Sequence, residues 1–144
     1  GTSLWTLTHS RDFARAFAGL LGNPHAIGSP VHITGDEVLT WDAIARALAV
    51  ALGVDPRIVH VASETIGRVI PQLGPGLLGD KAHSVVFDNT RVKRLVPGWE
   101  AVIPFADGAR EIVAWHLADP RRQVVDPELD AAFDRLVDLA GTAG

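Results

Sequence analysis

Cysteine, methionine and tyrosine are absent from the 144-residue chain. Without cysteine the chain can form no disulfide, no thiolate metal site and no cysteine nucleophile, which favours a cytoplasmic protein. Charged residues interrupt every apolar run before it reaches the roughly 20 residues that cross a bilayer, and no signal-peptide pattern opens the chain. We therefore expect a soluble protein with no membrane partner. Because the chain starts abruptly and without methionine, we also expect a fragment of a longer protein.

Positive charge is scarce as well. The net charge is -4 at pH 7 and the isoelectric point is about 5.8. Because binding to nucleic acid needs clustered lysine and arginine, a nucleic-acid partner is not favoured. The apolar fraction of 47% and the charged fraction of 21% are typical of a globular protein, and no linker divides residues 1–144. We interpret them as a single domain.

Alternating strand and helix patterns predict a small α/β lobe. Short strands are predicted at residues 4–8, 31–35 and 57–61, with a fourth apolar run at residues 85–88. About six helices are predicted, at residues 11–21 after a Ser10 cap, 41–52 between Thr40 and Gly53, 63–70, 90–95 after an Asn89 cap, 105–117, and from Pro127 after Asp126. Three or four short strands are too few for a complete doubly wound sheet.

Glycine and proline are concentrated in residues 71–84, which predicts a flexible loop. Within it, residues 74–79 match the G-x-G-x-x-G string of dinucleotide-binding turns. That turn needs a strand before the glycines and a long helix after them, whereas here a helix precedes them and Pro75 interrupts them. We therefore predict no cofactor site in this chain.

Other catalytic patterns are also missing. The six histidines show no helical i, i+4 pair and no carboxylate at ligand spacing, so no metal is predicted. No Gly-x-Ser-x-Gly elbow indicates a hydrolase. The cations Arg91, Lys93 and Arg94 share a short predicted helix and are interpreted as a solvated face. Asp12 is interpreted as a structural acid that binds backbone groups at the start of its helix.

Several short motifs occur in an order that resembles a known family. They are Gly1-Thr2, His9-Ser10-Arg11-Asp12 at the start of a helix, His32-Ile33-Thr34-Gly35 before a capped helix, Asp88 to Lys93, Gly98-Trp99, and Gly108 to Trp115. Together they resemble the second half of the extended short-chain dehydrogenases/reductases, the NAD-dependent epimerase/dehydratase family. The resemblance implies the carboxy-terminal lobe of that fold, without a complete Rossmann sheet.

What the resemblance implies for activity is hydride transfer with NAD or NADP, as in an oxidoreductase or isomerase. The family's Tyr-x-x-x-Lys pair and glycine fingerprint belong to its amino-terminal half, and this chain contains no tyrosine. The resemblance therefore implies a substrate-recognition lobe with no catalytic or cofactor-binding residue of its own, inactive without the missing Rossmann half.

The resemblance also implies a substrate pocket with Leu4, Trp5, His9 and Leu77. Lys81 and His83 are added to the predicted pocket because they lie on the glycine-rich loop, and binding residues concentrate on loops. Two family arginines that hold a substrate diphosphate correspond here to Trp5 and Leu77. Each arginine would contribute about 1.5 to 3 kcal/mol as a charge-assisted hydrogen bond. Their replacement favours a sugar-like or smaller carbonyl or hydroxyl substrate over a diphosphate.

One alternative stays open: a non-catalytic module of the same shape that binds a ligand, a protein or RNA. The negative net charge disfavours RNA. If the lobe is separated from its other half, apolar side chains that would face that half become exposed. We therefore expect self-association through an exposed apolar surface.

Overall fold

The computed structural model describes residues 1–141, which form a lobe of helices around a very short sheet. Two strands, β1 (Leu4–Trp5) and β2 (Leu39–Thr40), lie within it. The helices are α1 (Ser10–Leu20), α2 (Trp41–Leu52), α3 (Ser63–Val69), α4 (Gly74–Gly76), α5 (Thr90–Leu95), α6 (Phe105–Leu117) and α7 (Pro127–Gly141). The prediction of a small α/β lobe with few strands is confirmed.

The sheet is antiparallel, with Leu4 opposite Thr40 and Trp5 opposite Leu39. On its other side β1 is held by residues 84 and 85. The Leu4 N–H donates to Ser84 Oγ at 2.9 Å, and the Val85 N–H donates to the Leu4 carbonyl at 3.1 Å. The first strand therefore lies between two distant parts of the chain.

Three of the predicted strand segments are not strands. Residues 31–35, 57–61 and 85–88 belong to no ladder in the described chain, and the first strand is shorter than predicted. In residues 32–35, side chains of other segments form hydrogen bonds with backbone groups that a neighbouring strand would otherwise bind. Thr8 Oγ1 accepts from the Gly35 N–H at 2.9 Å, for example. An alternating apolar pattern indicates that every second side chain is buried. An extended loop can bury its side chains in this way as well as a strand can.

The predictions for α2 and α6 are confirmed. Thr40 Oγ1 accepts from the Ala43 N–H at 3.1 Å at the start of α2, and Gly53 ends the helix with a φ of 73°. Residues that carry a side chain rarely adopt this left-handed backbone conformation, so glycine is favoured there. Helices α2 and α6 pack together, and Ala109 and Val113 are buried on α6.

The flexible loop predicted at residues 71–84 is instead a run of helical turns. A 3₁₀ turn at Pro71–Leu73 leads into α4, and a π-helical turn follows at Leu77–Lys81. Gly74 is buried, and a Cβ atom added at Gly67 would lie 3.1 Å from the Gly74 Cα. These glycines therefore allow α3 and α4 to approach closely.

Asp12 has a structural role, but at a different place from the predicted one. His9, and not Ser10, caps α1, because His9 Nδ1 accepts from the Arg11 N–H at 3.2 Å. The side chain of Asp12 is buried and accepts from the Ile103 N–H at 2.9 Å and from Arg15 at 2.6 Å. Asp12 therefore joins α1 to the segment before α6.

Asn89 precedes α5, but its side chain does not form the predicted capping hydrogen bond. The carboxylate of Asp88 accepts from the Thr90 N–H at 2.8 Å in its place. Asn89 is buried and donates to the Thr34 carbonyl and to Asp36 Oδ1, each at 2.9 Å. It therefore anchors the loop before β2 to the start of α5.

Two small apolar clusters belong to the core, beside the buried residues between α2 and α6. The first contains Ala16, Ile33, Val92 and Trp99, and the second contains Ile70, Ala132 and Leu136. Many large apolar side chains lie outside these clusters. On α1, Phe13 is 44% and Phe17 is 50% exposed, and their rings stack with centroids 5.9 Å apart. One face of α1 is therefore apolar and uncovered.

Candidate functional site

The candidate site is a cavity of about 670 Å³ between β1, the start of α2 and the π-helical turn. We call it the Lys81 cavity, and it is lined by Gly1, Thr2, Ser3, Trp41, Val61, Ala62, Ser63, Ile66, Leu77, Lys81, Ala82 and Ser84. A volume of several hundred cubic ångströms is typical of small-molecule sites. A π-helical turn is also often found at functional sites.

Aromatic rings support one side of this cavity. Lys81 Nζ lies 4.1 Å from the centroid of the Trp5 ring, so the ammonium makes a cation–π contact. The Trp5 and Trp41 rings are 5.6 Å apart between centroids. The side chain of Lys81 is therefore held over an aromatic pair instead of extending freely into solvent.

Among the side chains that line the Lys81 cavity, Lys81 is the one that carries a charge, and that charge is paired. Lys81 pairs with the carboxylate of its neighbour Asp80. Ser3 Oγ donates to the Lys81 carbonyl at 2.8 Å, which links the first strand to the π-helical turn. Ser84 Oγ accepts from the Leu4 N–H, and its own hydrogen stays available to a ligand. The cavity thus combines hydroxyl groups with one cation that already has a counter-charge.

Four of the six residues predicted for the pocket come together here. Leu77 and Lys81 line the cavity, Trp5 contacts Lys81, and Leu4 binds Ser84 through its backbone. His83 is exposed and does not line it, although it lies between two lining residues in the sequence.

His9, the sixth predicted residue, lies in a different place. It lines a separate cavity of about 350 Å³ beside the start of α6. Its Nε2 is 3.2 Å from Glu111 Oε2, and Arg11 also pairs with Glu111. Hydrogen bonds from Arg11 and then His9 lower the pKa of Glu111. Both ring nitrogens of His9 are engaged, so we assign it to capping α1 and to a hydrogen bond with Glu111.

Sequence reasoning missed the pair formed by Asp42 and His60. The Nε2 atom of His60 lies 2.9 Å from Asp42 Oδ1 and 3.1 Å from Oδ2. The hydrogen bond from His60 lowers the pKa of Asp42, and Arg46 adds to the effect. Nothing in the spacing of the two residues indicates this contact, because residue 60 lies in an extended segment outside α2.

Metal ions and dinucleotides each need a characteristic local arrangement of residues. Within residues 1–141 no three His, Asp or Glu side chains are grouped closely enough to hold a metal ion. The glycine string at residues 74–79 follows α3 and lies in helical turns, so it does not form the strand-turn-helix cradle of a dinucleotide. None of the helices in this part of the chain has the length and apolarity to cross a bilayer.

Comparison with known proteins gives one partial similarity. Over 61 residues the chain is 39% identical to the chloroplast stem-loop binding protein of 41 kDa b, a chloroplastic protein of Arabidopsis thaliana. The matched part covers 42% of this chain and 16% of the relative. No protein-family model and no solved structure matches significantly. The chain is therefore similar, over less than half of its length, to a small part of a protein named for stem-loop binding.

Proposed function

We propose that this chain is a ligand-binding lobe and that the Lys81 cavity is its binding site. The observation that carries the proposal is the Lys81 side chain, held over Trp5 at the wall of a cavity of about 670 Å³. Binding sites commonly combine apolar walls with a few fixed polar groups. Trp41 and Leu77 supply apolar wall here, while Ser84 and Lys81 supply hydrogen-bond donors.

The ligand that this site fits is a neutral, hydroxyl-bearing compound, such as a sugar or a small hydroxy-carbonyl. The ammonium of Lys81 is already balanced by Asp80, so little net positive charge is available to attract a diphosphate. The lining residues also include no arginine, which is the side chain best shaped for bidentate phosphate binding.

For the whole protein we propose an NAD(P)-dependent epimerase/dehydratase-like oxidoreductase in which this lobe recognises the substrate. In that protein a Rossmann half supplies the cofactor site and the acid/base residues. The uncovered apolar face of α1, with Phe13 and Phe17, supports a docked partner of this kind. Cytoplasmic localisation stays a prediction, and the name of the partial relative places that protein in the chloroplast.

The experiment that tests the site is chemical-shift mapping on the ¹⁵N-labelled chain, with D-glucose and UDP-glucose as probes. We expect D-glucose to move the amide signals of Ser3, Leu77, Lys81 and Ser84 in a saturable way. UDP-glucose should bind no more tightly than D-glucose, because no arginine receives its diphosphate. Saturable shifts confined to residues outside the Lys81 cavity would refute the assignment.

A second candidate function is binding of a nucleic-acid stem-loop, which the name of the partial relative favours. Charge opposes it, since the net charge is -4 and Lys93, Arg11 and Arg15 are paired with carboxylates. On α5, Arg91 and Arg94 are exposed and form no ion pair within residues 1–141, so they stay available to phosphate. Fluorescence anisotropy of a labelled RNA hairpin at low salt distinguishes the two functions. RNA binding that becomes weaker in Arg91→Gln would favour stem-loop binding as the function.

A further inference from the structure

The Asp42–His60 pair leaves one nitrogen of the imidazole ring unused. A carboxylate can only accept hydrogen bonds, so the Nε2 atom that faces Asp42 carries the ring hydrogen. In the neutral ring Nδ1 is then an acceptor, and no group within residues 1–141 donates to it. The hydrogen bond from His60 is the largest cause of the lowered pKa of Asp42, so the carboxylate stays ionised and accepts from Nε2.

An apolar cavity of about 280 Å³ lies beside this pair. We call it the His60 cavity. It is bounded by α7 on one side and by the segment at residues 58–61 on the other, and its apolar wall includes Phe133, Leu136 and Val137. Phe133 is 46% and Val137 is 40% exposed, so part of this wall is in contact with water. A ligand that covered it would gain hydrophobic contact.

The His60 cavity is next to the Lys81 cavity but chemically different from it. The two share Gly1, Trp41, Val61 and Ile66 as a common wall. The Lys81 cavity has several hydroxyl groups, whereas the His60 cavity has mainly aliphatic and aromatic side chains with the Asp42–His60 pair at its edge. One site therefore suits a polar compound and the other a largely apolar one.

We propose that the His60 cavity is a second binding site, which takes a small aromatic alcohol whose hydroxyl group donates a hydrogen bond to Nδ1 of His60. The ring of such a ligand covers the apolar wall on α7. Its hydroxyl hydrogen meets Nδ1 of His60, the ring nitrogen that does not face Asp42. Asp42, which also lines the cavity, is a positioning residue, because it holds the orientation of His60 through the hydrogen bond at Nε2.

The test is a ¹⁹F NMR titration of the 144-residue chain with 4-fluorophenol, and with fluorobenzene as a probe that lacks the hydroxyl group. We expect 4-fluorophenol to bind saturably and fluorobenzene to bind about five- to tenfold more weakly, the loss of one hydrogen bond. His60→Phe keeps an aromatic ring but removes Nδ1, so it should reduce 4-fluorophenol binding to the level of fluorobenzene. His83→Phe is the matched control and should leave binding unchanged.

Two further measurements distinguish binding in the His60 cavity from the effect of a folding defect and from binding in the Lys81 cavity. In long-range ¹H–¹⁵N spectra of the unaltered chain, 4-fluorophenol should move the Nδ1 resonance of His60, and this requires no substitution. Lys81→Gln should leave 4-fluorophenol binding unchanged, even if D-glucose binding fails. The proposal is overturned if 4-fluorophenol does not bind, if fluorobenzene binds equally well, or if the Nδ1 resonance of His60 stays in place at saturation.

Discussion

Replacing Asp12 by asparagine should destabilise the lobe strongly, although the two side chains have nearly the same size. Asp12 is 1% exposed and uses both carboxylate oxygens, one toward the Ile103 N–H at 2.9 Å and one toward Arg15 at 2.6 Å. Asparagine has one acceptor oxygen and one NH₂ donor. One of the two partners therefore loses its acceptor and faces a donor instead.

The size of the effect follows from these two bonds. A hydrogen bond to a charged group contributes about 1.5 to 3 kcal/mol, and a buried polar group left unpaired costs about 1 to 3 kcal/mol. We expect Asp12→Asn to lower the free energy of unfolding by about 3 kcal/mol. For a domain of this size that is a decrease in Tm of about 10 °C. Asp134→Asn, at an exposed carboxylate on α7, should leave Tm nearly unchanged.

The pH dependence provides a second check on Asp12. Burial raises the pKa of Asp12, but the hydrogen bonds from Ile103 and Arg15 outweigh burial and leave it below its ordinary value of 3.8. The stabilisation is therefore complete above about pH 4 and is lost as the pH falls through the lower folded-state pKa. Urea unfolding should show a gap between the two proteins at pH 7 that narrows below pH 4. A gap that is absent at pH 7, or that is equally wide at pH 3, would refute this reasoning.

Three other changes have definite expected outcomes. Gly53→Ala should lower the free energy of unfolding by about 1 kcal/mol, because φ is positive at Gly53. Gly76→Ala should not lower it, because a Cβ atom added at Gly76 meets nothing within 4 Å. Urea titration of the two variants compares them. Asn89→Ala should cost about 2 kcal/mol, since it removes the hydrogen bonds by which the buried Asn89 side chain holds the Thr34 carbonyl and Asp36, and thermal unfolding measures this. Phe13→Ser with Phe17→Ser should reduce self-association in sedimentation velocity, and an unaltered chain that is strictly monomeric would contradict the expectation.

Local chemistry explains which elements were predictable. The bounds of α2 depend on Thr40, which binds an N–H three residues away, and on Gly53 directly after the helix. Both signals lie within a few residues of the helix end that they define. The stripe of apolar residues on α6 likewise depends only on helical spacing. These helices could therefore be located from the sequence.

Long-range contacts explain what could not be predicted. The partner of Asp12 is the backbone of Ile103, and Asn89 binds residues of the loop before β2, both far away in the chain. An alternating apolar pattern at residues 31–35 does not reveal whether another strand lies alongside. Glycine pairs such as Gly67 and Gly74 indicate a loop by composition, although here they allow two helices to approach closely.

The candidate site was predictable in part for the same reason. Leu77 was identified by its place in a family pattern and Lys81 by its place on the predicted glycine-rich loop, and both line one cavity. The contacts that hold Lys81 there, with Trp5 and through Ser3, join segments that lie far apart in the sequence. The Asp42–His60 pair has no sequence signal at all, because it depends on how residues 58–61 pass the start of α2.

The most direct test of the Lys81 cavity is the dissociation constant for D-glucose, measured by tryptophan fluorescence on the unaltered chain, Lys81→Gln and Arg91→Gln. Trp5 and Trp41 lie at the cavity, so their emission reports occupancy. We predict that Lys81→Gln raises the dissociation constant about five- to tenfold, as expected for a charge-assisted hydrogen bond that is partly exposed to water. Arg91→Gln, which removes the same charge from α5, should leave it unchanged. Equal dissociation constants for all three proteins would contradict the assignment of the binding site.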